Sequence, residues 1–122
     1  MGYTKFGKIV RKKMIDHDEN LGDVASLLDV STAFVSSVLL GNKSIPENWL
    51  KMLSDHYKMT YAEKKELYDA YCEDKKNIKI DVEQASVPQI KLVMQFQRKL
   101  PQLTDEEVRA LFDILGEEDN GL

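Results

Sequence analysis

One cysteine, two histidines and no Cys-x-x-Cys, His-Glu-x-x-His or glycine-rich phosphate loop occur in the 122 residues. The lone Cys72 excludes an internal disulfide, and His17 and His56 lie too far apart for a local zinc motif. No metal and no cofactor is therefore expected. The acidic pairs Asp16/Asp18 and Glu117/Glu118 read as solvated charge runs rather than a catalytic dyad, so the chain is not read as an enzyme. No apolar run approaches the roughly 18 residues that span a membrane. The start lacks the charged-then-apolar pattern of a secretory signal. With a single thiol, these absences point to a reducing cytoplasm and a protein without a membrane partner. Cys72 itself is expected as a small buried apolar group.

Positive charge is outnumbered, with 17 Lys and Arg against 21 Asp and Glu. The net charge is −4, which argues against a protein that coats nucleic acid non-specifically. It is unevenly distributed, however. Residues 1–60 carry a net +1, leaving −5 for the remainder, and five basic residues (Lys5, Lys8, Arg11, Lys12, Lys13) crowd into one stretch. A helix from about Lys5 to Ile15 would present several of them to one strand of a duplex. Phosphate attraction is local and screened by salt, so the overall charge does not forbid such contacts.

What is present is a pattern between Asn20 and Gly41, NLGDVASLLDVSTAFVSSVLLG. Asn20 can cap a helix, with Asp23 three residues on completing a capping box. Val24, Ala25, Leu27 and Leu28 follow at helical spacing, and Ala25 is small enough for a second helix to cross closely. Asp29 occupies a turn and tolerates left-handed backbone angles, and Val30 plugs that turn into the core. Ser31 caps a second helix from Thr32 to about Leu40, and Gly41 ends it. Val35 and Val38 face inward. Thr32, Ala33, Ser36 and Ser37 face outward, where hydroxyls and methyls can meet base edges in a major groove.

These residues, with Tyr3-Thr4-Lys5-Phe6-Gly7-Lys8 before them and Asn42-Lys43-Ser44-Ile45-Pro46-Glu47-Asn48-Trp49 after, resemble the lambda-repressor-like helix-turn-helix of XRE-type transcriptional regulators. The resemblance covers about residues 3–74 and, more loosely, the chain to Leu115. It implies that Thr32, Ala33, Ser36 and Ser37 read bases. It also implies that Asn20, Ser31, Asn42, Lys43, Ser44 and Arg11 hold phosphates. Leu39 stands where many relatives carry Glu, and Phe34 is large for its position; both are expected to pack on the first or fourth helix.

Beyond Gly41, Pro46 and Glu47 suit a helix start, and Trp49, Leu50, Leu53 and Tyr57 recur as core. Thr60-x-x-Glu63 is a capping box for a helix to about Asp74, with Leu67, Tyr68, Tyr71 and Cys72 on its apolar face. Asn77 to Val82 then alternates, with Ile78, Ile80 and Val82 on one side, the period of a strand. No second strand candidate exists, so pairing across a two-fold axis is expected, with an extended linker as the alternative. Ser86 opens a helix that Leu100-Pro101 breaks, and Thr104-x-x-Glu107 opens the last. The expected fold is mainly α. It comprises a five-helix lambda-repressor-like domain (1–75), a strand plus helical hairpin serving dimerisation (76–116) and a mobile tail (117–122). Ile78, Ile80, Val82, Val93, Phe96, Leu111 and Phe112 are the expected dimer interface.

The expected function is that of a homodimeric regulator, a repressor on the family pattern, reading a pseudo-palindrome in double-stranded DNA. Relatives often lie in phages or mobile elements. Two alternatives stay open: an antitoxin whose tail binds a toxin, and a protein-interaction module that has lost DNA binding.

Overall fold

The computed structural model describes residues 2–116. It is mainly helical, with no strand among the described residues. Seven α-helices follow one another: α1 Lys5–Asp16, α2 Leu21–Leu28, α3 Thr32–Leu39, α4 Asn48–His56, α5 Tyr61–Glu73, α6 Val87–Lys99 and α7 Asp105–Leu115, with a 3-10 turn at Leu100–Gln102. The chain divides into two compact units between Lys76 and Asn77. The expected tail, 117–122, lies outside the described residues.

The helix starts are set by side chains that satisfy otherwise unpaired N–H groups. Thr4, Asn20, Ser31, Thr60, Ser86 and Thr104 each accept from the N–H three residues on. Reciprocal capping boxes form at Asn20/Asp23, Thr60/Glu63, Ser86/Gln89 and Thr104/Glu107.

The first four helices also end alike. Val30 N–H donates to the Ala25 carbonyl (3.0 Å) and Asp29 N–H to that of Ser26 (3.3 Å). This paired closure requires one left-handed residue, here Asp29 at φ 57°. The same pairing closes α1 at Asp18, α3 at Gly41 and α4 at Lys58, with φ of 54°, 86° and 49°. Only one of these four positions is glycine, so three turns carry the steric penalty of a Cβ in left-handed backbone.

The core of the first unit gathers Phe6, Val10 and Met14 of α1, Val24 and Leu28 of α2, Val35, Val38 and Leu39 of α3, Trp49, Leu50 and Leu53 of α4, and Leu67 of α5. Helix α1 packs on α3 and α5, α2 on α3, and α4 on α5. Phe34 sets its ring edge against Trp49, centroids 5.9 Å apart at 87°, a favoured aromatic geometry. The packing expected of Phe34 and Leu39 is thus found, on α4 for the first and beside α1 for the second. Cys72 is exposed, not buried. The inward side of α5 is taken by Leu67, Ala70 and Tyr71, and the residue after Tyr71 is rotated about 100° away.

Two contacts fix the frame. Gly7 lies where α1 meets the end of α3: a Cβ there would lie far inside contact distance of the Leu39 carbonyl oxygen and 2.9 Å from its carbonyl carbon. Glu19, in the α1–α2 connection, accepts from the Tyr57 hydroxyl (2.6 Å) and lies 2.7 Å from His56 Nε2, tying that connection to the end of α4. The His17 ring stacks obliquely on Tyr57 at 5.0 Å. Burial pushes the Glu19 carboxyl up, but the hydrogen bonds from Tyr57 and His56 and the nearby histidine charges outweigh it and hold it below its ordinary value. Burial and the bond to Glu19 push the Tyr57 phenol well above its own.

In the second unit, residues 77–82 form no strand, correcting the expected element. The alternation is there, but among the described residues no second strand completes a ladder, and unpaired backbone gains nothing from extension. Ile78 and Ile80 are exposed and Val82 half-buried. No residue of α6 or α7 is fully buried; Val93 and Leu111 are half-buried, Phe96 and Phe112 exposed.

Gly7→Ala is expected to destabilise the protein. Better helix propensity returns only about 1 kcal/mol, against about 2–3 kcal/mol for forcing a methyl onto backbone; a urea midpoint at or above wild type would contradict the close approach. Glu19→Gln tests the carboxylate cluster. Because the folded value is lowered, its stabilisation is present above the ordinary carboxyl range and is lost as pH falls through the folded value. The variant should unfold at lower urea near neutral pH, and its deficit should shrink as pH falls below the ordinary carboxyl range; a deficit that does not change with pH would show that the ionised form contributes nothing.

Candidate nucleic-acid interface

Helices α2 and α3 are joined by three residues, and their axes turn through 101°. This lies within the range of about 90–120° that defines a helix-turn-helix. The bend follows from local chemistry. Left-handed Asp29 stops α2, half-buried Val30 anchors the turn, and Ser31 Oγ accepts from Phe34 N–H (3.1 Å) to start α3. Ala25, buried in α2, lets α3 cross nearby.

Helix α3 is buried on one side by Val35, Val38 and Leu39. Thr32 and Ala33 are exposed and Ser36 and Ser37 half-exposed on the other. The four expected base readers therefore share one face, without charge, and the three hydroxyls can each donate or accept. Ser31 uses its oxygen lone pair as a cap, which leaves its hydroxyl hydrogen free to donate.

The end of α3 is held from below. Thr4 N–H donates to the Leu39 carbonyl (3.1 Å), and Thr4 Oγ1 lies 3.4 Å from the same oxygen while accepting from Gly7 N–H. Past Gly41, the residues Asn42, Lys43 and Ser44 are exposed. They line a hollow of about 330 Å³ together with Thr4, Val38, Gly41, Ile45, Asp74 and Lys76. The structure thus brings the three residues of the expected phosphate loop together with Thr4 and Lys76 just past the end of α3, a placement of Thr4 and Lys76 that the sequence reading missed. Gly7, Thr4 and Lys76 carry no local signal for this placement; only the Lys75-Lys76 doublet stands out in the sequence.

The other expected phosphate contacts have further neighbours. Asn20 accepts from Asp23 N–H through its side-chain oxygen, which leaves its amide N–H groups to donate. The Arg11 guanidinium lies 6.0 Å from the Tyr3 ring centroid and reaches the Met14 sulfur at 4.0 Å. The basic stretch of α1 turns largely to α5. Lys5 pairs with Glu73 at 3.2 Å, Lys13 pairs with Glu63, and Lys8 lines a groove with Glu66, Asp69 and Glu73. The Lys13 hydrogen bond, with the Thr60 N–H, holds the Glu63 carboxyl below its ordinary value. A continuous basic face on α1 is therefore not formed, because acids of α5 meet it within the fold.

No three-residue cluster of His, Cys, Asp or Glu among the described residues could hold a metal ion. No single described helix is long and apolar enough to cross a membrane. Comparison with known proteins returns no match: no family model, no curated protein and no solved structure resembles the chain at a meaningful level.

Proposed function

We propose that the chain is a sequence-specific, double-stranded-DNA-binding transcriptional regulator, a repressor on the pattern of the XRE-type family it resembles. In this reading its first five helices are a lambda-repressor-like domain and α3 is the recognition helix. The observation that carries the reading is the 101° pair: its second helix keeps an uncharged, hydroxyl-bearing face open and is followed directly by an exposed Asn-Lys-Ser loop. Hydroxyls and small methyls suit base edges, whereas Asn42, Lys43, Ser44 and the Ser31 hydroxyl suit phosphate oxygens. Phosphate contacts fix register and base contacts specify, so these two groups have separable roles.

The protein acts as a homodimer in this proposal. One recognition helix covers only a few base pairs; two related by a two-fold read half-sites about 34 Å apart. Support comes from the second unit, where Leu92, Phe96, Phe112 and Leu115 are exposed on two helices that bury no residue fully. Water contact at these side chains is unfavourable in proportion to apolar area, and a second copy supplies a matching surface.

Selection of bound sites from a random duplex library should return an inverted repeat. Ser37→Glu, with unchanged circular dichroism, should lose that site, because a carboxylate would face the groove. Lys43→Ala should weaken all sequences alike and flatten the salt slope by about one unit; a loss confined to one base position would assign Lys43 to bases instead. Phe112→Asp should convert a sedimenting dimer to monomer, and an unaltered assembly would remove α7 from the interface.

A further inference from the structure

The hollow just past the end of α3 contains a lysine that the helix-turn-helix does not supply. Lys76 closes the first unit, after α5 has ended at Asp74. It lines the same hollow of about 330 Å³ as Thr4, Asn42, Lys43, Ser44 and Asp74. No ion pair holds Lys43 or Lys76 among the described residues, in contrast to Lys5 and Lys13. The neighbouring Lys75 is used differently: its ammonium lies 5.0 Å from the Tyr71 ring centroid, a distance at which ring and cation attract. Two free ammonium groups, an amide and a hydroxyl around one concavity form a donor set for a tetrahedral dianion or a phosphodiester.

We propose that this hollow is a phosphate site in which Lys76 and Lys43 hold one backbone phosphate between them, with Asn42 and Ser44 donating and Asp74 limiting the affinity. The inference rests on the DNA-binding reading for its biological ligand, but the site itself is defined by phosphate chemistry. One consequence is mechanical. Lys76 immediately precedes the boundary with the second unit, so a phosphate seated there anchors the start of the connection to the DNA backbone.

The test has two arms on the full chain. In the first, affinity for a random-sequence duplex is measured over a salt series. Lys76→Ala should lower the slope of log affinity against log salt by about one unit and weaken low-salt binding roughly tenfold. Lys75→Ala should change neither, and Asp74→Asn should strengthen binding several-fold. In the second, inorganic phosphate is titrated while backbone amide resonances are followed. Those of Asn42, Lys43, Ser44 and Lys76 should move together in wild type and stay still in Lys76→Ala. A wild-type slope in Lys76→Ala, or an equal effect from Lys75→Ala, overturns the site while leaving DNA binding standing. Phosphate shifts without any duplex binding keep the site and overturn the DNA reading. Absence of both overturns both.

Discussion

The end of α3 rests on the beginning of α1, and the placement of the candidate reading face depends on that junction. A helix C-terminus carries unpaired carbonyls and a partial negative charge; an N-terminus carries the opposite. Here the Leu39 carbonyl meets Thr4 N–H and the Thr4 hydroxyl, so each end satisfies the other. The approach is possible only because Gly7 presents no side chain to the Leu39 backbone. Thr4 also touches the next element: a Cβ on Gly41 would lie 2.7 Å from its methyl. One threonine and two glycines therefore set the depth of α3 and the exit of its chain, and Thr4 and Gly41 also line the adjoining hollow. Leu39 is fully buried beside them.

Local chemistry makes much of this legible in the sequence. Caps act over three residues, so Asn20, Ser31, Thr60, Ser86 and Thr104 mark their helices from sequence alone, and all five cap in the structure. Asp29 was legible as a turn residue because few side chains tolerate left-handed backbone. What escaped was non-local. Gly7 looks like an ordinary helical glycine until Leu39 is placed against it. The lysines of α1 look like a DNA-facing stripe until Glu63 and Glu73 arrive from α5. Lys76 looks like part of a linker until the loop after α3 folds beside it. The alternation at 77–82 is a real pattern, but a strand is a property of two chains or segments, and one segment cannot reveal its partner.

The electrostatics follow from the same distinction. Surface pairs such as Lys5–Glu73 contribute little to stability on their own, yet they decide where positive charge remains available. They hold Lys5 and Lys13 against α5, whereas Lys43 and Lys76, which line the hollow past the end of α3, have no ion pair among the described residues. The acidic excess of the chain is then compatible with a local anion site, because charges beyond about 8 Å are screened at physiological ionic strength.

On the proposed reading, affinity and specificity have different sources. The reading face is uncharged, and rotatable hydroxyls discriminate bases less sharply than a bidentate arginine or glutamine would. Few phosphate contacts surround it, so the salt-dependent part of the binding energy is also modest. One such domain would hold a duplex weakly and distinguish sites poorly. Two domains joined by a shared surface bind as one ligand, and the second engagement occurs at high effective concentration. The exposed apolar side chains of α6 and α7 then have a direct consequence for recognition: covering them with a second copy would turn two weak readers into one operator-specific protein.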